Sequence, residues 1–215
     1  MKRILFVSTA ITTVASVASV AFAGNLDTPA VIDVVPAAAS AGVDWSGFYL
    51  GATYGIGLGG DMEYDTEGDL ILYDDLEPGA SYGAFAGYNV QRNNLVFGAE
   101  VAYSAVDTPG FGPIGYTDET FNYFVDGKAR VGYAMNKVLV YGFAGYTLSE
   151  FSFGGGDGHK VDGMNYGAGV DVMFGEHMFA GAEYIARNVS GELDGGPQIQ
   201  TTNIQALQLR AGWKF

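Results

Sequence analysis

The chain ends on a pattern that only a two-faced strand satisfies. From Leu207 onward, Leu207, Leu209, Ala211, Trp213 and Phe215 alternate with Gln208, Arg210 and Lys214. Successive side chains of an extended chain point to opposite sides, so period-two alternation gives one apolar face and one polar face. A strand built this way is stable only where one face meets an apolar medium and the other a polar one.

The division recurs upstream. In 45–56, Phe48, Leu50, Ala52, Tyr54 and Ile56 oppose Gly47, Tyr49, Gly51, Thr53 and Gly55. Segment 80–91 sets Tyr82, Ala84, Ala86, Tyr88 and Val90 on one face, and 95–106 sets Leu95, Phe97, Ala99, Val101 and Tyr103 opposite Gly98, Glu100 and Ser104. In 120–134, Phe121, Tyr123, Val125, Ala129, Val131 and Tyr133 alternate with Asn122, Phe124, Asp126, Lys128, Arg130 and Gly132. Three consecutive same-face charges in an otherwise apolar strand require a polar interior. Segments 163–174, 178–189 and 203–215 repeat the pattern, with Asn165 and Asp171, then Glu183 and Arg187, on the polar faces. Both faces of 138–149 are apolar, which leaves its orientation open.

Short polar turns at Arg92-Asn93-Asn94, Met135-Asn136-Lys137 and Gly175-Glu176-His177 alternate with long stretches at 57–79, 107–119, 150–162 and 190–202. About eight strands of roughly 9–11 residues, with short turns at one end and long loops at the other, predict an all-β fold: an eight-stranded antiparallel up-and-down transmembrane β-barrel. An even strand number puts both chain ends on the periplasmic side. Aromatic residues at the two ends of the strands (Phe48, Tyr88, Tyr133, Trp213 and Phe215 at one, Tyr103, Phe121 and Tyr123 at the other) fit interfacial belts.

The N-terminus points to the same compartment. Lys2 and Arg3 precede an apolar run, and Ala21-Phe22-Ala23 has the small-x-small pattern of a secretory cleavage site. The expected division is a signal peptide over 1–23, a Pro-containing periplasmic lead-in over 24–43 and the barrel over 44–215. There is no Cys to form a disulfide, bind metal or act as a nucleophile, and a net charge of -14 without a basic stripe argues against nucleic acid. The 33 Gly, 14 Tyr and 14 Phe residues suit a barrel in lipid.

Several segments carry a further likeness. Asp44-Trp45-Ser46-Gly47-Phe48-Tyr49-Leu50-Gly51, Gly83-Ala84-Phe85-Ala86-Gly87-Tyr88-Asn89, Phe97-Gly98-Ala99-Glu100, Arg130-Val131-Gly132-Tyr133-Ala134 and Gly167-Ala168-Gly169-Val170-Asp171 occur in order. With the terminal Phe215 they resemble the small outer-membrane β-barrel proteins of alphaproteobacteria, a family that includes opacity-like and hemin-binding surface proteins. The resemblance covers 44–215, with Asp171 where Glu is more usual. It implies the Gram-negative outer membrane after cleavage following Ala23. It also implies Trp213 and Phe215 as a sorting signal, and partners in outer-membrane lipid, lipopolysaccharide, periplasmic chaperones and the barrel-assembly machinery.

The predicted inward set is Glu100, Asp126, Lys128, Arg130, Asp171, Glu183, Arg187, Arg210 and Lys214. An eight-stranded barrel is just wide enough inside for side chains, so these charges are expected to pair and fill the lumen; an ion path is the alternative, as in a small nonspecific porin-like channel. No catalytic residues and no cofactor are expected, because the two histidines, His159 in a Gly-rich loop and His177 in a turn, lie at opposite ends. The acids Asp61, Glu63, Asp65, Glu67 and Asp69 could hold a divalent cation, although their spacing is not that of an EF-hand. Family likeness offers His159, Tyr116 and Tyr146 as hemin contacts. The expected role is structural or surface interaction without catalysis. A soluble secreted ligand-binding barrel is disfavoured by the outward apolar band.

Overall fold

The computed structural model describes residues 42–66, 70–76, 78–107, 120–152, 158–192 and 198–215. The proposed signal peptide and most of the lead-in lie outside them. Among the described residues nine strands form one antiparallel sheet: β1 Gly47–Thr66, β2 Leu70–Leu76, β3 Ala80–Arg92, β4 Leu95–Asp107, β5 Thr120–Met135, β6 Val138–Ser152, β7 Gly158–Phe174, β8 Met178–Glu192 and β9 Gln198–Lys214. From β3 to β9 each strand pairs with the next in sequence, β3 pairs with β1 rather than β2, and β1 also pairs with β9, from Tyr49 opposite Lys214 to Asp65 opposite Gln198. Closure removes the sheet edges that lipid could not satisfy.

Eight staves make the barrel, because β2 pairs only with the far end of β1. The near part of β1, Gly47 to Ile56, pairs with β3, and Gly60 to Thr66 pairs with β2. The stretch 57–79, read from sequence as a long external segment, therefore contains two extended arms. β7 and β9 likewise begin earlier than the apolar pattern alone indicates, at Gly158 and Gln198. Backbone pairing continues where the lipid-facing pattern has already stopped.

The short turns need left-handed backbone. Asn93 and Asn136 adopt φ of 54° and 57°, and Gly175 adopts 71°; Asn and Gly reach this region most cheaply. The outward faces follow the alternation, with Leu50, Val101, Met164 and Leu209 exposed. On β6, Leu139, Tyr141, Phe143, Thr147 and Phe151 are buried while Val140, Tyr146 and Leu148 are exposed, which fixes the orientation the pattern left open.

Phe121 departs from expectation. The β5–β6 register shifts between Phe121 and Tyr123, and such a bulge turns the following parity over. Phe121 is therefore buried against Phe124 and Phe151, with ring centroids 5.5 and 5.0 Å away, and does not join the outer aromatic belt.

Candidate functional site

The inward charges come from β4, β5, β7, β8 and β9 and meet across the lumen. Glu100 receives Arg210 Nη2 at 2.6 Å, Arg130 Nη1 at 2.8 Å and Lys128 Nζ at 3.3 Å. Glu183 receives Lys128 Nζ at 2.5 Å and Arg210 Nη1 at 2.7 Å. Asp171 lies 3.0 Å from Arg130 Nη2 and 3.3 Å from Arg210 Nε, the latter an ion pair without hydrogen-bond geometry. Asp126 forms a separate group, taking Arg187 Nη2 at 2.6 Å and Nε at 3.0 Å in a forked contact. Four carboxylates thus face four cations, all buried. Arginine supplies most of the positive charge, and its planar fork suits bridging between carboxylates.

The expected set contained one more member. Lys214 stands apart from the network, half-buried at the rim beside the short turns, with Nζ 3.1 Å from the Ser46 carbonyl oxygen. Its inward parity is right, but the last residues of β9 lie at the mouth. Without it the lumen charges balance.

Neutral groups complete the network, and alternation alone did not single them out. The Tyr49 hydroxyl donates to Glu100 at 3.0 Å and accepts from Arg130 Nη1 at 2.6 Å, while the Tyr141 hydroxyl donates to Glu183 at 3.0 Å. Thr147 and Asn165 donate to Asp126 at 2.6 and 3.3 Å. Arg130 lies 3.8 Å over the Tyr141 ring, Arg210 4.1 Å over Phe85 and Arg187 4.4 Å over Phe124. These rings supply cation–π attraction where no water competes.

Apolar layers cap the charges at both ends. Toward the short turns, Trp45, Val96, Leu139, Met173 and Phe179 are buried; toward the opposite mouth, Phe121, Phe151, Val161, Val189 and Ile204 are buried. The void bounded by Trp45, Tyr49, Asn89, Arg130, Asp171, Phe179 and Lys214 measures only about 10 Å³, room for one water at most.

The rim beside the C-terminus is closely tied. Phe215 N donates to Phe48 O at 2.9 Å and Lys214 N to His177 O at 2.7 Å. His177 stacks on Trp213 at 5.2 Å, with Nδ1 2.9 Å from Lys214 O. Beside it, the Ser46 amide donates to Asp44 at 2.9 Å, which holds that carboxyl below its ordinary range. Trp213 and Phe215 themselves point outward and are exposed.

The other candidates do not assemble. His159 lies in β7 opposite Phe151, not in a loop, and shares the face of Phe151. Tyr146 shares the opposite, exposed face with Leu148, and its hydroxyl donates to Asp162. Tyr116 lies outside the described residues. Of the acidic set, Asp61 is exposed, Glu63 and Asp65 fall in the far part of β1, and Glu67 and Asp69 lie outside the described residues. Among the described residues no cluster of His, Asp or Glu could hold a metal ion.

A closed antiparallel barrel of this kind has counterparts among known proteins. The family model of the outer membrane protein beta-barrel domain matches residues 30–215. The chain belongs to this outer-membrane β-barrel family. It is 29% identical over 181 residues to a 22 kDa outer membrane protein of Rhizobium leguminosarum bv. viciae, covering 80% of this chain and 78% of that one. It is 28% identical over 195 residues to the 25 kDa outer-membrane immunogenic protein of Brucella canis, covering 87% and 84%. The fold matches the outer membrane protein OprG of Pseudomonas aeruginosa with a TM-score of 0.54 at 14% identity, covering 81% of this chain and 98% of that one. This outer-membrane barrel therefore presents its outward band to lipid, in a membrane whose outer face carries lipopolysaccharide.

Proposed function

We propose that this outer-membrane barrel is a sealed, non-catalytic scaffold that acts through its wall and the arms beyond the bilayer, not through passage along its lumen. The observation that carries the reading is the layer of eight buried charges, each ion-paired, lying between two apolar layers. A conducting path would need a continuous wet route past groups whose partners already fill the cross-section. The chemistry of an enzyme is also poorly served, because the buried acids are neutralised by Arg and Lys and the two histidines are far from them.

Purified protein in planar bilayers is expected to show no steady conductance. Large, steady currents whose ion selectivity changes in Arg130→Ala at unchanged stability would replace the scaffold with a channel.

The same reading assigns removal of 1–23 after Ala23 and recognition of the terminal strand by the assembly machinery. Deleting Phe215 removes an outward aromatic and the amide that bonds to Phe48 O. The expected outcome is less heat-modifiable barrel in the outer membrane and more protease-sensitive chain in the periplasm. Unchanged amounts of both would dissociate Phe215 from sorting.

A further inference from the structure

The wall is not of even height. β3 and β4 run for 13 residues each, whereas β1 runs for 20 and stays paired with β9 as far as Asp65, where β9 in turn pairs with β8. The taller side is a sheet in the order β2, β1, β9, β8. Within it β1 is paired on both flanks, as where Glu63 meets Tyr73 of β2 and Gln200 of β9. β2 has β1 on one flank and no neighbour on the other among the described residues. Among the described residues, Leu70–Leu76 thus presents an unpaired row of backbone amides and carbonyls on this edge, which is a template for another strand.

The charge of this region narrows what can add to it. Residues 57–79 contain eight acidic side chains and no Lys or Arg, including Asp74 and Asp75 within β2, and Gln198–Asn203 of β9 is uncharged. Edge-to-edge pairing with a second copy would bring two such acidic arms together. The chain's own segment 108–119 contains Pro109 and Pro113, which lack amide donors for a ladder.

We propose that the free edge of β2 takes up an extended, basic polypeptide as an additional strand, with backbone bonds giving affinity and the acidic arms selecting positive charge. This rests on the scaffold reading above, in which the arms project outside the cell.

The test uses the full chain folded in lipid vesicles and a short peptide alternating lysine and valine. Binding is expected, weakening as salt rises. The same peptide N-methylated at alternate residues, in both phases, keeps its charge and loses donors; one phase should bind about tenfold or more weaker. Asp74→Asn combined with Asp75→Asn should weaken the unmodified peptide and flatten its salt dependence. Equal binding of both N-methylated peptides would reduce the effect to charge alone and overturn the strand addition. A shift to dimers without peptide binding would assign the edge to a second copy. Because the chain has no Cys, maleimide labelling of Asp75→Cys in intact cells reports the arm's exposure separately. Labelling without peptide binding overturns the strand addition and leaves the scaffold reading standing, and absence of labelling overturns the outward placement itself.

Discussion

Glu100→Ala is expected to destabilise the folded barrel by about 3–5 kcal/mol, the cost of leaving buried cations without their counter-charge. Glu100 bridges Lys128, Arg130 and Arg210 and accepts from Tyr49, so its loss affects three cations and one hydroxyl together. Denaturant titration of protein folded in lipid vesicles measures the change. The smaller group offers an internal control. Replacing Asp126 and Arg187 together by apolar residues of similar size should cost far less than replacing either alone, since the pair's desolvation disappears with its attraction. A loss below about 1 kcal/mol for Glu100→Ala, the scale of exposed pairs, would mean that water screens the lumen and that the charges are not a dry packing layer.

Val170→Arg should cost about 2–4 kcal/mol if the site lies near the bilayer midplane. Val170 is on the lipid face of β7 between Phe174 and Tyr166, opposite Val140 and Ala182 on the neighbouring strands, and is 40% exposed. Its neighbours on that face, Tyr166, Ala168, Val172, Phe174, Val140 and Ala182, offer no carboxylate to the new cation. The same titration applies, and a negligible change would place Val170 outside the hydrocarbon layer.

Much of the barrel is legible in the sequence because period-two alternation is a local signal. A strand such as β9 announces both faces without reference to any partner, and the asparagine turns are marked by residues that tolerate left-handed backbone. The signal fails where its premise fails. It assumes a polar interior, yet β6 lines this lumen with Leu139 and with the rings of Tyr141 and Phe143, which lie against buried cations, so the strand looks alike on both faces. The inward turn of Phe121 is invisible in the pattern because a bulge is a property of two paired strands and leaves no mark in one. His159 looks like a loop residue in the sequence because its flanking glycines obscure the strand.

The charge network was legible as a list of residues but not as a set of pairs. Which acid meets which base depends on stagger around the barrel, and stagger is global. Tyr49 and Tyr141 sat on inward or unassigned faces, yet only three dimensions show that their hydroxyls reach Glu100 and Glu183. Lys214 had the right parity and the wrong depth. Depth is set by where the strand ends relative to the charged layer.

The stagger has a consequence for how the chain enters a membrane. Glu100 and Arg210 are 110 positions apart, and Asp126 and Arg187 are 61 apart. A hairpin or open sheet made from the first few strands would carry Asp126 into lipid before β8 could supply Arg187, and would hold Glu100 with Lys128 and Arg130 but without Arg210. Completion of the ion pairs inside the wall and joining of β9 to β1 are therefore reached together. Strand-by-strand insertion would pass through states with naked charge in hydrocarbon, so half-built barrels should not accumulate in the bilayer. The lumen acts as an assembly checkpoint, because only the complete ring is tolerated by the solvent that surrounds it.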